Sequence, residues 1–536
     1  MVLGDRADSA DRATVAYADR ETMLEPADVL VVGAGPTGLV LALWLRRVGG
    51  RVRIVDRLAE PSTTSRAVAV QARTLELYRQ MGLGDALVAR GRRIGAANLW
   101  VRGRHVAHAP VGDMGQGISP YPFALIFPQD EHERLLIDRL AAAGVRVERG
   151  VELLGFDQDG DRVTARLQRA DGATEECRAA WIVGCDGAHS AVRETLAIGF
   201  AGGTYEHLFY VADADATGAV VNGEIHVALD RADFLALFPL KQDGRVRLIG
   251  TIRADGGARH DHLSWDDVST RVIEWMQIDV ARVNWFSTYH VHHRVAERFR
   301  VGRAFLAGDA AHIHSPVGGQ GMNSGIGDAI NLSWKLAAVI AGRAHPDILD
   351  TYESERIAFA QRLVETTDRA FTAVTSSSAI ARFVRLHMVP ALVPLAFASR
   401  AARRFMFRTV SQTAISYRGS ALSEGRTGAI RGGDRLPWAP PAAPDAPDNY
   451  APLDAFDWQA HVYGEAEADL ADLCETWGLP LHVFPWRKAM AANGLVRNAL
   501  YLIRPDGYVA LAAAAGHAAA LRSYLAHHEV LRQPQR

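Results

Sequence analysis

Residues 301–323, VGRAFLAGDAAHIHSPVGGQGMN, place one carboxylate at the end of an apolar run and continue it into a loop of glycines. Phe305, Leu306 and Ala307 read as the end of a buried strand. Gly308 permits a sharp turn and a close backbone approach, which leaves Asp309 at the strand's exposed tip. Gly318, Gly319 and Gly321 then offer backbone N–H groups that no side chain shields. An aspartate beside bare amides suits a ligand that combines hydroxyls with a polar, electron-accepting edge. Histidines nearby raise metal chemistry as a second reading: His290, His292 and His293, then His312 and His314. In a strand His290 and His292 share a face. No carboxylate or cysteine completes a zinc set at a recognisable spacing, so a paired strand leading into the glycine loop is expected, with no metal.

A second candidate site lies near the N-terminus. Residues 27–57, ADVLVVGAGPTGLVLALWLRRVGGRVRIVDR, read as strand, glycine turn, helix and second strand. Val29 to Val32 form the continuous apolar run of a doubly buried parallel strand. Gly33 makes the turn, Gly35 lets backbone approach a pyrophosphate, and Gly38 packs helix against strand. Pro36 fits the first helical turn, whose amides and dipole favour phosphate. Asp56, 23 residues after Gly33, stands where a carboxylate holds ribose hydroxyls, with Arg57 beside it. The pattern does not separate NAD from FAD. A third segment, residues 179–196, repeats the strand-turn-helix logic: Asp186 and Gly187 turn the chain and Ser190 begins a helix.

The order of the three motifs resembles the single-component (class A) FAD-dependent aromatic hydroxylases, the group that includes para-hydroxybenzoate and phenol hydroxylases. The resemblance covers about residues 27–440. It implies that Gly33, Gly35, Pro36, Gly38, Asp56 and Arg57 bind the ADP half of FAD. It puts Asp186 and Gly187 near both FAD and a transient NADPH or NADH. Asp309 falls to the ribityl chain, and Pro316, Gly319, Gly321, Met322 and Asn323 to the isoalloxazine edge. By the same resemblance Arg66 and Gln129 contact FAD; for Gln129 an ordinary helix-start role stands beside that one. Arg73 opens its helix and is expected to cap or pair on the surface. Gly327 departs from the family, where many relatives carry glutamine, and no loss of flavin binding is expected from it. The implied chemistry is NAD(P)H reduction of FAD, O₂ addition at flavin C4a, and transfer of oxygen to a phenolic or polycyclic ring. His207, Tyr210 and His226 are positional guesses for a base, each more readily a structural sheet residue, so no catalytic residue is assigned. A flavin oxidase or dehydrogenase, and a non-catalytic flavoprotein that binds aromatics, are the alternatives; the W-x-W-x-I-P signature of a flavin halogenase is absent.

A chain of 536 residues exceeds one core, so two or three domains are expected to hold these motifs in place. The expected fold class is α/β. A Rossmann-like FAD-binding domain (27–95, 126–200, 291–345) carries an inserted antiparallel substrate-binding sheet (96–125, 201–290). A flexible leader (1–26), a helical region (346–435), a Pro-rich linker or wrapped loop (436–454) and a small α/β domain (455–536) that resembles the thioredoxin-like tail of some hydroxylases in this family, without redox cysteines, make up the rest. Cys177, Cys185 and Cys474 form no C-x-x-C pair, which fits a reducing cytoplasm. A net charge of −2 gives no electrostatic case for nucleic acid. The apolar run MVPALVPLAFA (388–398) is too short for a membrane span and holds two prolines. It is expected to be a buried helix, with Arg400, Arg403, Arg404 and Arg408 nearby leaving a membrane surface or a second subunit open. Monomer and homodimer both stay open.

Overall fold

The computed structural model describes residues 27–61, 67–230, 234–252, 263–315, 318–375, 378–443 and 445–529. Expectations for the 1–26 leader, for Arg66 and Pro316, and for the His207 side chain lie outside them.

Five strands build a parallel sheet in the order Ala304–Leu306, Thr174–Gly184, Ala27–Val32, Val52–Asp56, Val147–Arg149. Val29, Leu30, Val31, Phe305 and Leu306 are fully buried, as strands covered on both faces require. Register aligns the three motifs. Val32 pairs with Gly184, and Gly184 pairs with Leu306. The three chains that leave this edge begin at Gly33, Cys185 and Ala307, so motifs far apart in sequence emerge side by side at the carboxyl ends of parallel strands. That edge is where such sheets bind ligands.

Two helices close the edge, Pro36–Arg47 and Gly321–Ile340. Thr37 is wedged between them: a Cβ on Gly308 would lie 2.6 Å from its Oγ1, and a Cβ on Gly325 would lie 2.4 Å from it. Glycine at both positions lets the third motif dock on the helix of the first. The helix after the loop starts at Gly321.

An eight-stranded sheet holds Ala96–Val101, Arg104–Pro110, Phe200–Thr217, Ile225–Leu229, Phe234–Pro239, Arg245–Ile252, Asp279–Ala296 and His312–Ile313. Its pairs are antiparallel except Ile225–Leu229 against Ala96–Val101. Asp279–Ala296 runs straight through the expected boundary at 290, tying this sheet to the flavin loop through Val295 and His312.

Three expectations for the second half need correction. Residues 346–375, 379–398 and 400–410 are helical, but Glu424–Thr427 and Ile430–Arg431 are strands that join a six-stranded C-terminal sheet. The 436–454 stretch is a wrapped loop and not a linker: Leu436, Ala439, Tyr450 and Leu453 are core residues of that C-terminal unit. Prolines there bend a packed chain rather than free it. The helix Val389–Ala398 has no buried residue. It leans on the edge strand Arg104–Pro110 and on the helix Arg400–Val410; hydropathy registers an apolar run without saying what faces it. Ala379–Ala398 is long and apolar enough, by length and composition, to cross a membrane.

Candidate flavin and substrate site

Each motif can be followed from backbone to chemistry. Gly33 has φ +101°, and a Cβ there would meet the Cys185 carbonyl oxygen at 2.3 Å. A Cβ on Gly38 would meet the Gly33 carbonyl oxygen at 2.0 Å. Around Gly35 nothing lies within 4 Å of that position. The outer two glycines are demanded by packing and the middle one faces open space, as a turn that receives a pyrophosphate requires. Gly35 caps the helix without a side chain and Pro36 stands in its first turn, so the helix offers its first amides outward.

Asp56 ends its strand as expected, but its carboxylate also serves the protein. Oδ2 accepts from the Ala34 N–H at 2.7 Å and Oδ1 from the Leu58 N–H at 2.8 Å. Arg149, its strand neighbour, lies 3.5 Å from Oδ2 and keeps one buried guanidinium nitrogen without a partner. Arg57 is exposed. Gln129 is the first residue of its helix; Oε1 accepts from the Ala67 N–H at 3.4 Å and Nε2 donates to Glu133 at 2.8 Å. Burial pushes the Glu133 carboxyl up.

At the second motif Ser190 caps the helix by accepting from the Arg193 N–H. Asp186 Oδ2 accepts from the Val192 N–H at 3.3 Å, while Oδ1 is buried without a partner. Burial raises the pKa of this carboxyl. Gly187 turns the chain with φ +79°.

The third motif is built by side chains that the sequence reading missed. Asp309 is exposed on the turn Gly308–Ala310. Asp328, fully buried in the helix behind it, fixes that turn: Oδ2 accepts from the Gly308 N–H and from His312 Nε2, both at 2.9 Å, and Oδ1 from Arg356 Nε at 2.5 Å. Burial alone would raise this carboxyl; Arg356 and His312 outweigh it and hold it down at about 2. A lone acid in the apolar helix of residues 321–340 was the signal, since a buried charge needs a partner. Gly318 and Gly319 take successive left-handed conformations, φ +79° and +61°, which glycine adopts at little cost. Asn323 clamps that loop. Its Oδ1 accepts from Gln71 N–H (2.9 Å) and Thr74 Oγ1 (2.8 Å), and its Nδ2 donates to the Ala69 and Gly319 carbonyls, both at 2.9 Å. With the side chain committed, Asn323 has its backbone left for a ligand, beside Gly321 and Met322 in the first turn of a 20-residue helix. His314 donates from Nδ1 to the Ser315 carbonyl at 2.7 Å, and burial lowers its pKa to about 4. The other histidines are sheet residues; His292 bonds Thr204 at 2.7 Å.

Across from this edge, register sorts the eight-stranded sheet into two faces. Leu208, Tyr210, Ala212, Leu235, Leu237 and Leu248 form the core of the far face. Tyr210 lies in that core and His226 is buried, held by Asn222 and Trp100, so neither faces the flavin edge. The near face carries Leu99, Val227, Ile249 and Ser287 in one row and Phe238, Arg247, Asp213 and Trp285 in another. Apart from Arg247, these apolar and aromatic side chains are half-buried. Arg247 is fully buried, paired to Asp213 through Nε (2.7 Å) and NH2 (2.8 Å), and reaches the Ala67 carbonyl at 3.3 Å. That last bond sets the near face against the segment that carries Ala69.

Residues 26–367 match the family model described as FAD binding domain. The chain is 39% identical over 409 residues to 6-methylpretetramide 4-monooxygenase of Streptomyces rimosus, covering 74% of this chain and 71% of that one. Among solved structures, anhydrotetracycline hydroxylase from Streptomyces rimosus superposes with a TM-score of 0.76 at 30% identity, over 95% of this chain and 100% of that one. Aklavinone-11 hydroxylase, solved with FAD and aklavinone, does so at 0.74 and 26% identity, over 95% and 100%. A glycine turn, a half-buried Asp-Gly and a glycine loop emerge on one sheet edge, and with these likenesses the chain belongs to the FAD-binding-domain family of single-component, FAD-dependent aromatic hydroxylases.

Proposed function

We propose that this monooxygenase hydroxylates an uncharged, phenolic, fused polycyclic aromatic, with NADPH or NADH as reductant. The observation that carries the reading is Arg247. A small benzoate-type substrate would need a free cation on the near face. The arginine that stands there is fully buried and neutralised by Asp213. The face is also broad: six strands from Ala96–Val101 to Asp279–Ala296 span roughly 24 Å at the usual strand spacing. Its half-buried Leu99, Val227, Phe238, Ile249 and Trp285 suit flat apolar rings. The relatives named above are named for 6-methylpretetramide, anhydrotetracycline and aklavinone.

FAD, when bound, supplies reduction by a nicotinamide and activation of O₂. The residues proposed to hold it are Gly33, Gly35, Pro36, Gly38, Asp56 and Arg57 at the ADP half, Gln129, Asp186 and Gly187 between, and Asp309, Gly319, Gly321, Met322 and Asn323 at the ribityl and ring. The amides of 318–323 and the helix behind them favour negative charge at the ring edge. The near face of the sheet excludes water from the reacting ring and orients it. We read the C-terminal unit as thioredoxin-like. Gln459–Tyr463 lies between a parallel partner, Leu481–Phe484, and an antiparallel one, Leu500–Ile503, with Val509–Ala513 next. Cys474 is the sole cysteine in its sequence, so its role is structural.

The test is NADPH and NADH oxidation by the FAD-loaded protein across neutral polycyclic phenols and small hydroxybenzoates, with peroxide quantified. Stimulation by polycyclic phenols with little peroxide is expected. Strongest coupling to a small carboxylate would refute the substrate reading.

A further inference from the structure

Seven of the ten exposed large apolar side chains among the described residues fall between 380 and 410: Ile380, Phe383, Met388, Leu392, Leu395, Phe405 and Val410. Ile380, Leu395 and Phe405 are 78%, 68% and 71% exposed. Single exposed leucines are ordinary, but a cluster of this kind marks an interaction surface. Ala379–Phe383, a π-helical turn at Val384–Met388, and Val389–Ala398 run on from one another without a break. An α-helix returns to a face every three or four residues, and a π-turn takes about one more. Met388, five residues after Phe383, therefore comes back to the same face, and Leu392 and Leu395 continue it. The side chains form one ridge.

Charge gathers on the same stretch. Residues 369–423 hold eight arginines and no aspartate or glutamate, in a chain whose net charge is −2. Arg369 and Arg418 have carboxylate partners, and Arg385 is buried. Arg382, Arg400 and Arg408 are exposed and Arg403 and Arg404 partly so; among the described residues none of these five forms an ion pair. The segment is anchored from beneath. Phe407 packs on Gly115, where a Cβ would come within 2.2 Å of its ring. The helix Val389–Ala398 rests on Arg104–Pro110, whose buried Ala107 and Ala109 pair with Leu99 and Ala97 at the margin of the near face.

We propose that residues 379–410 are a membrane-surface element: the ridge lies in the interface of an anionic bilayer and the five arginines meet lipid phosphates. A span is disfavoured because Arg382 and Arg385 lie inside Ala379–Ala398 and would be carried into hydrocarbon. A second copy of the chain fits poorly. A two-fold contact centred here sets arginine against arginine with no carboxylate in the patch to answer them. Docked on lipid, the margin of the substrate sheet faces the phase in which a neutral polycyclic aromatic concentrates, a consequence that rests on the substrate reading above.

The experiment is co-sedimentation of the FAD-loaded full chain with phosphatidylcholine vesicles, with and without phosphatidylglycerol. Binding to the mixed vesicles is expected, weakened by salt and by omission of phosphatidylglycerol. The pair Leu392→Glu with Leu395→Glu, and the pair Arg400→Glu with Arg408→Glu, should each lower affinity about tenfold or more, with FAD content and circular dichroism unchanged. Absence of binding to mixed vesicles, or binding that neither pair alters, overturns the proposal. So does a dimer in analytical ultracentrifugation that both pairs dissolve while vesicles are ignored.

Discussion

Asp309 and Asn323 sit fourteen residues apart in one motif, yet their environments assign them different work. Asp309 is exposed on its turn, so Asp309→Ala should leave the flavin-free protein folded while FAD retention falls. Loss of a hydrogen bond from a charged group costs about 1.5–3 kcal/mol, roughly ten- to a hundredfold in affinity. Full FAD occupancy in that variant, read from the absorbance ratio after gel filtration, would show that the third motif is misassigned. Asn323 is buried and makes four hydrogen bonds. Asn323→Ala removes the bonds to Gln71 N–H, Thr74 Oγ1 and the Ala69 and Gly319 carbonyls, and should lower the stability of the flavin-free protein by about 2–4 kcal/mol. Chemical denaturation checks it; an unchanged midpoint would mean that the loop does not depend on this clamp. Asn323 was readable as a motif residue because the motif is local. Its clamp was not, because Gln71 and Thr74 lie about 250 residues away in sequence.

At the scale of elements, the site depends on two helices meeting over Thr37. Gly325→Ala would put a Cβ 2.4 Å from Thr37 Oγ1, a contact that forces the helix Gly321–Ile340 away from Pro36–Arg47. Overpacking of this kind costs about 1–3 kcal/mol, and FAD affinity should fall with it. Thr37→Ala removes the clashing oxygen, so the double variant should recover most of the loss; no recovery would locate the strain elsewhere. Glycine turns, strand ends and helix starts were legible here because each is dictated by local backbone geometry. Other elements were not. Arg73, expected on the surface, is buried: NH1 lies 3.1 Å from Glu76 and NH2 donates to the Asp506 carbonyl at 2.6 Å. Its partner is 433 residues away, and no local pattern announces such a contact. The Val389–Ala398 helix differs for the opposite reason: its apolar sequence is plain, but whether the fold buries it depends on elements distant in sequence.

Across the whole molecule, a buried ionic network joins the C-terminal sheet to the flavin edge. Arg504 reaches Glu355 (2.7 Å) and Asp506 (2.7 Å), Glu355 accepts from Lys335 at 2.9 Å, and Arg435 reaches Glu76 at 2.7 Å. Buried histidines set the acid limit of this assembly. His132 and His461 are held at about 3 and His226 at about 4, in each case first by burial. Lowered folded values mean that the unfolded chain takes up protons, near pH 6.5, that the folded chain refuses. Their stabilisation is therefore complete above 6.5 and is lost as pH falls toward the folded values. From pH 7 to 5.5 these three and His314, also held at about 4, should together cost about 5 kcal/mol. Denaturation at several pH values checks this, and a flat profile over that window would contradict it.

Whether this chain oxygenates an aromatic ring is decided by hydroxylation under isotope-labelled O₂, with FAD-loaded protein, NAD(P)H and the polycyclic phenol that best stimulates oxidation. One labelled oxygen atom in the aromatic product is expected. Product formed without label, or label recovered only in peroxide and water, would mean that this flavoprotein does not oxygenate its aromatic ligand.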